Sequence, residues 1–226
     1  MGDRAQGLTK WSNRYWGLGG GSLDPDGKGK LTLDQPIAIK APEQLKADVF
    51  TNSPKGALSF SAVDASAQFI NRKAAMVEIW PSYLGPITLD PSRAGVTLGK
   101  AAAAMEPGGH PHSGGLGLSV ISTSKHKEVA LAFIRLATSQ KYDKECFAKT
   151  GKGPVYAETY VTDGPQYWLK PLAEAIAVAN PRSGGRDAGK VNDMFDQVIS
   201  RYLAGELTAP AAAAEMQKRA DQAATQ

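Results

Sequence analysis

Apolar residues recur at helical spacing in several stretches of the chain. In "KVNDMFDQVISRYLAG" (190–205), Val191, Met194, Phe195, Val198, Ile199 and Tyr202 fall on one face, and Gly205 marks the stop. In "KHKEVALAFIRLATSQ" (125–140), Val129, Phe133 and Leu136 do the same, with Ser124 placed to cap the start. "KYDKECFAKT" (141–150) predicts a further helix, closed by Gly151 in a left-handed conformation. Ala67, Phe69 and Ile70 line a helical side within 64–72. "PIAIKAPEQLKADVF" (36–50) reads as a helix opened by Pro42, with Leu45 and Val49 four apart. "YWLKPLAEAIAVAN" (167–180) is helical up to the interruption "PRSGGRDAG", and Thr208 caps a last, alanine-rich helix.

Other stretches predict strands: "KLTLD" (30–34), "AAMVEIW" (74–80), "GVTLGKA" (95–101) and "GLGLSVIST" (115–123). Strands come first and alternate with helices, and helices close the chain. The pattern is α/β or α+β, without an internal repeat.

Composition narrows the class. The 226 residues suit one large or two small domains, and 42% hydrophobic residues suffice for a core. The formal charge is +4 and spread thinly; "KHK" (125–127) is followed at once by Glu128, so no nucleic-acid footprint is expected. One cysteine, Cys146, allows no internal disulfide. No apolar run is long enough to span a bilayer. The first residues, "MGDRAQGLTKW", lack the apolar centre of a signal peptide, so the chain is not exported, already processed, or missing its natural beginning.

Candidate chemistry is sparse. "GLGGGS" (17–22) leads into the turn "DPDGKG" (24–29) rather than a helix, unlike a nucleotide loop. "DPDGKG" lacks the later glutamate of a calcium loop. "HPH" (110–112) offers two imidazoles with no cysteine or carboxylate cluster nearby. No metal, cofactor or catalytic residue is therefore expected. The aromatics are more informative. Trp11, Tyr15 and Trp16 precede the glycine cluster, and Trp80 and Tyr83 follow the strand 74–80. Such faces stack on the C–H-rich faces of sugar rings, although any one of them taken alone is more often half-buried packing.

The order of features carries a resemblance. "AQFINRKAAMVEIW" (67–80), "GGSLDPDGKGKLTLDQP" (20–36), "MEPGGHPHSGGLGLSVISTSKHKEVALAFIRLATSQ" (105–140), "KTGKGPVYAETY" (149–160) and "YLAGELTAPAAAAEMQKRAD" (202–221) follow one another as in the extracellular solute-binding proteins of family 1. These are the sugar-binding subunits of ABC importers, relatives of maltose-binding protein. The chain departs from them at Arg72, where the family has glycine, and at Leu116, often tryptophan in relatives.

The resemblance implies an α/β, periplasmic-binding-protein type II-like fold, present in part: mostly the second lobe, with its C-terminal helices. Residues 1–117 would be a second-lobe portion bearing cleft aromatics, 118–160 a segment returning to the first lobe, and 161–226 the helical completion of the second lobe. It implies non-catalytic binding of a carbohydrate or polyol by Trp11, Trp80, Tyr83, Gly114 and Gly115, with Met76 packed beneath Trp80. The two glycines fall where small residues let backbone N–H groups approach a solute. Expected partners are the sugar, an ABC permease and a chain supplying the missing first lobe; the expected location is periplasmic or cell-surface. The competing expectation is a truncated interaction fragment with no working cleft.

Overall fold

A computed structural model describes residues 6–23, 31–115, 117–160, 168–181 and 188–223. The expected turn "DPDGKG" and most of "PRSGGRDAG" lie outside the described residues. The longer elements are α-helices. In chain order they are α1 (Gln6–Gly17), α2 (Gln35–Ala47), α3 (Ala62–Ile70), α4 (Leu84–Thr88), α5 (Pro91–Ala94), α6 (Lys127–Ala137), α7 (Gln140–Thr150), α8 (Leu169–Val178), α9 (Ala188–Leu203) and α10 (Ala209–Ala223). Among the described residues the strands are β1 (His112–Ser113) and β2 (Asn180–Pro181), paired in parallel.

The chain divides into two compact units. One gathers residues 1–65, 105–114 and 175–226; the other gathers 66–104 and 115–174. The divisions fall inside α3 and α8. Segment 66–104 thus groups with 115–174, a partition that differs from three consecutive stretches.

The first unit is built from α1, α2, α9 and α10. The α9 face read from the sequence is its centre: Phe195, Val198 and Ile199 are enclosed. Ala38 and Ala41 of α2 and Ala212 and Ala213 of α10 are buried as well, and their small side chains let the helices approach closely. α2 begins earlier than Pro42. Asp34 caps it by accepting the Ile37 N–H at 3.2 Å, so Pro42 lies within the helix, which passes into a π-helical turn over Asp48–Asn52. Pro42 cannot donate to the carbonyl four residues back. Thr208 caps α10 as expected, accepting the Ala211 N–H at 3.3 Å.

α1 had no counterpart in the pattern reading. Its stripe of Leu8, Trp11 and Tyr15 is buried, and Asp196 of α9 accepts the Leu8 N–H at 3.0 Å, capping α1 from a distant helix. The glycine cluster folds over these aromatics. Gly21 accepts from Trp16 Nε1 at 3.1 Å, and a Cβ on Gly20 would lie 2.4 Å from the Tyr15 ring.

The second unit has a smaller core of Phe147, Trp168, Leu169 and Leu172, with Leu84, Ala103 and Tyr160 packed against it. Asp143 of α7 organises the chain beyond Gly151. It accepts the Val155 and Tyr156 N–H groups at 3.0 and 3.3 Å. Gly151 has φ 64° and donates to the Phe147 carbonyl, the expected left-handed stop. Ser124 accepts the His126 N–H at 3.1 Å, just upstream of α6, rather than capping the helix itself.

None of the strands predicted over 30–34, 74–80, 95–101 and 115–123 forms among the described residues. Residues 95–97 instead make a 3-10 turn. A strand needs a neighbour for its backbone groups, and these stretches have none in the described chain.

Candidate functional site

Trp80 and Tyr83 sit on one tight turn of the second unit. Pro81 disfavours a helical conformation at Trp80, which is extended at φ −65° and ψ 142°. The 3-10 turn Pro81–Tyr83 follows, closed by the Tyr83 N–H donating to the Trp80 carbonyl at 3.0 Å. Both residues are half-buried.

The turn is mounted rigidly. Directly after it, Gly85 crosses the backbone at Gly151, where a Cβ would meet Gly151 atoms at 2.7 Å. Leu84 packs on the core of Trp168 and Phe147, whose rings meet edge to face at 5.8 Å. Thr88, nearly enclosed, donates to the Leu84 carbonyl and holds the short helix α4. Gly114 and Gly115 are exposed, and the space where a Cβ of Gly115 would lie is open.

Two expectations change. Trp11 has no face open to a ligand in this arrangement: it is 0% exposed, stacked on Tyr15 at 5.0 Å and edge-on to Phe195 at 5.9 Å. Its place on the inner stripe of α1 makes it a core residue of the first unit. Met76 is not packed beneath Trp80 but 86% exposed. Its stretch joins no sheet here that would bury alternate side chains.

His112, Asp143 and Asp196 are held in structural contacts. His112 Nδ1 lies 2.9 Å from Ser12 Oγ, and its backbone N–H donates to Asn13 Oδ1 at 2.7 Å. Ser12 Oγ also donates to the Thr9 carbonyl and is fully enclosed, so the pair is no exposed nucleophile. Asp143 also takes the Thr159 hydroxyl at 3.3 Å, while burial, helped by Asp143, pushes the Tyr160 phenol upward. Burial likewise raises the Asp196 carboxyl, against the lowering effect of the Leu8 and Gly7 N–H groups. Among the described residues no three His, Cys, Asp or Glu side chains gather to hold a metal ion. A surface groove between 31–35 and α10 carries no aromatic, and Gln217 in it is spent on stapling Leu31 and Leu33.

The Trp80–Tyr83 turn is thus an aromatic segment braced by the crossing of Gly85 and Gly151. The family described as "Bacterial extracellular solute-binding protein" matches residues 4–144, more than half the chain, and the chain belongs to this family. A relative from Deinococcus radiodurans, described as "Probable ABC transporter-binding protein", is 26% identical over 216 residues, covering 90% of this chain and 50% of its own length.

Among solved structures, the maltose-bound MalE3 of T. maritima matches with a TM-score of 0.77 at 23% identity, over 96% of this chain and 57% of that one. The maltotriose-bound maltose/maltodextrin-binding domain MalE of Bdellovibrio bacteriovorus matches with a TM-score of 0.75 at 18% identity, over 96% and 58%. The fold is thus a partial type II periplasmic-binding-protein fold, rich in helices. The chain spans about half the length of the curated relative it matches.

Proposed function

We propose that this chain is the ligand-binding component of an ABC-type importer, working outside the cytoplasm and taking a carbohydrate or polyol. The observation that carries the reading is the Trp80–Tyr83 turn. It places two half-buried aromatic residues on a braced mount, in a chain of the solute-binding family. Stacking on Trp80 and Tyr83 would hold the sugar. The sugars in the titles of the maltose- and maltotriose-bound neighbours support this ligand class. A closing movement on the bound solute would signal to a permease.

The other reading is an interaction fragment with no working cleft. It draws on the share of the relatives' length that this chain covers. Thermal unfolding in a panel of sugars separates the two. The chain carries one wall of a cleft, so a dissociation constant of about 1 mM is expected, and about 100 mM sugar would stabilise the fold by about 2.7 kcal/mol. The shift should shrink to about 0.3–1.8 kcal/mol in Trp80→Ala, for binding weakened by about 1–3 kcal/mol. No shift with any sugar, or a shift indifferent to Trp80, favours the fragment.

A further inference from the structure

Two glycines of one short stretch of backbone lie against the aromatic turn. Gly151 passes so close to Gly85 that a Cβ on it would stand 2.9 Å from the Gly85 Cα. A Cβ on Gly153 would lie 4.0 Å from the Pro81 Cβ and 3.2 Å from Leu172 Cδ2. Pro81 opens the turn and Gly85 follows its end, so residues 151–153 rest against both sides of it. At such close approach a displacement of that stretch is passed on to Trp80 and Tyr83.

Residues 151–156 belong to no helix or strand, so side chains set their position. Asp143 is the chief of these. From the first turn of α7, one of its oxygens accepts the Val155 N–H at 3.0 Å. The other accepts the Tyr156 N–H and the Thr159 hydroxyl, each at 3.3 Å. Bonds to an ionised carboxylate are the stronger kind, and here both oxygens are engaged. Tyr160 adds its hydroxyl to the Pro154 carbonyl, and Tyr156 donates to the Thr138 carbonyl at 2.7 Å. One helical turn beyond Asp143, Phe147 is buried edge to face on Trp168. Asp143 therefore ties the backbone beside the aromatic turn to a helix that is anchored in the core.

We propose that Asp143 is a positioning residue for the Trp80–Tyr83 site. Acting through 151–156, it sets where Pro81 and Gly85 lie, and so the pose in which the two aromatics meet a sugar. Asparagine at this position would keep one acceptor oxygen and turn the other into a donor, which neither the Tyr156 N–H nor the Val155 N–H can use. The proposal takes its site from the proposed function, but the pose of Trp80 is readable without any sugar.

The test is fluorine NMR of the chain labelled with fluorotryptophan at Trp11, Trp16, Trp80 and Trp168, with Trp80→Phe assigning the resonance of interest. Hydrogen exchange is followed at Tyr83 and Leu84, whose amides donate to the Trp80 and Pro81 carbonyls. In Asp143→Asn the Trp80 resonance should move or broaden while those of Trp11 and Trp16 stay in place. The Tyr83 and Leu84 amides should exchange at least about tenfold faster, with the α8 amides unchanged. Where the parent chain binds maltose, its affinity should fall about three- to tenfold in the folded variant. A residue that only stabilises the fold would lower the unfolding midpoint and leave the native Trp80 resonance where it was, and that result overturns the proposal. So does a moved resonance with undiminished maltose affinity in a parent that binds maltose. If Asp143→Asn unfolds the second unit, Thr159→Val removes a single bond to the carboxylate, and an unmoved Trp80 resonance in that variant overturns the proposal equally. A parent that binds no sugar removes the proposed function, and the Trp80 resonance then decides alone on Asp143.

Discussion

Arg72 offers a quantitative test of how the sequence fits its backbone. It follows α3 at φ 58°, and among the described residues it is the non-glycine with positive φ. The hydrogen bonds explain why. Lys73 N–H donates to the Gln68 carbonyl at 2.8 Å and Arg72 N–H to the Phe69 carbonyl at 3.0 Å. That pair of bonds is the Schellman closure, and it puts Arg72 at the position glycine normally fills. The left-handed conformation costs an L-residue about 1–2 kcal/mol, whereas glycine adopts it freely. Glycine returns roughly 0.5–1 kcal/mol through its larger unfolded-state entropy.

Arg72 is exposed and its charge sits favourably at a helix C-terminus, so the clean comparison is between Arg72→Gly and Arg72→Ala, both of which lose that charge. Arg72→Gly should be more stable than Arg72→Ala by about 0.5–1 kcal/mol. The assay is urea denaturation with hydrogen exchange at 69–73, since the chain has two units and a single global transition cannot be assumed. Equal stability, or the alanine variant being the more stable, would refute the strained-cap reasoning.

The other predictions come from packing, charge and exposure. Gly108→Ala should destabilise the first unit by about 2–3 kcal/mol or more, because φ is 91° and a Cβ would lie 2.3 Å from Gly17 Cα; Gly19→Ala, at φ 90° in open space, should cost only about 1–2 kcal/mol in the same denaturation assay. Trp11→Ala should cost about 3–5 kcal/mol of stability, whereas Trp80→Ala should spare stability and weaken sugar binding by about 1–3 kcal/mol; a reversed pattern would exchange their roles. Burial raises the folded-state Asp196 carboxyl above its unfolded value, so its contribution to stability is fullest below the unfolded pKa and is lost as pH rises through the folded one. Asp196→Asn keeps an acceptor for the Leu8 N–H and removes that loss, so the variant should gain on the parent as pH climbs out of the acid range, read from denaturation midpoints; a gain on acidification would contradict it.

What the sequence disclosed follows from the range of the forces involved. α9 was legible because its apolar period and its stop at Gly205 are local, and Gly151 and Thr208 announce their ends by the same short-range chemistry. α1 was hidden by Lys10, Ser12, Asn13 and Arg14 between its aromatics and by the glycine run behind it. Arg14 is held by Asp48, which it meets at 2.7 Å, and by the Lys10 carbonyl at 2.8 Å. The role of Trp11 depended on Phe195, far along the chain, so packing and stacking could not be told apart from sequence. The stretches read as strands at 74–80 and 115–123 carry apolar residues at strand-like spacing, but a ladder needs a second strand, and no pattern within one segment says whether that strand is supplied. Of the candidate site, the Trp80–Pro81 signal placed an aromatic on a turn, while the brace of Gly85 against Gly151 came only with the fold.

On the proposed function, this chain supplies one wall of a sugar-binding cleft. Titration calorimetry of maltose and maltotriose into the purified 226-residue chain tests this most directly. One wall should bind with a dissociation constant of about 1 mM or weaker, worth no more than about 4 kcal/mol. A micromolar constant, equivalent to about 8 kcal/mol, measured on a monomer that binds no hydrophobic dye, would contradict the account and make this chain a complete binding protein.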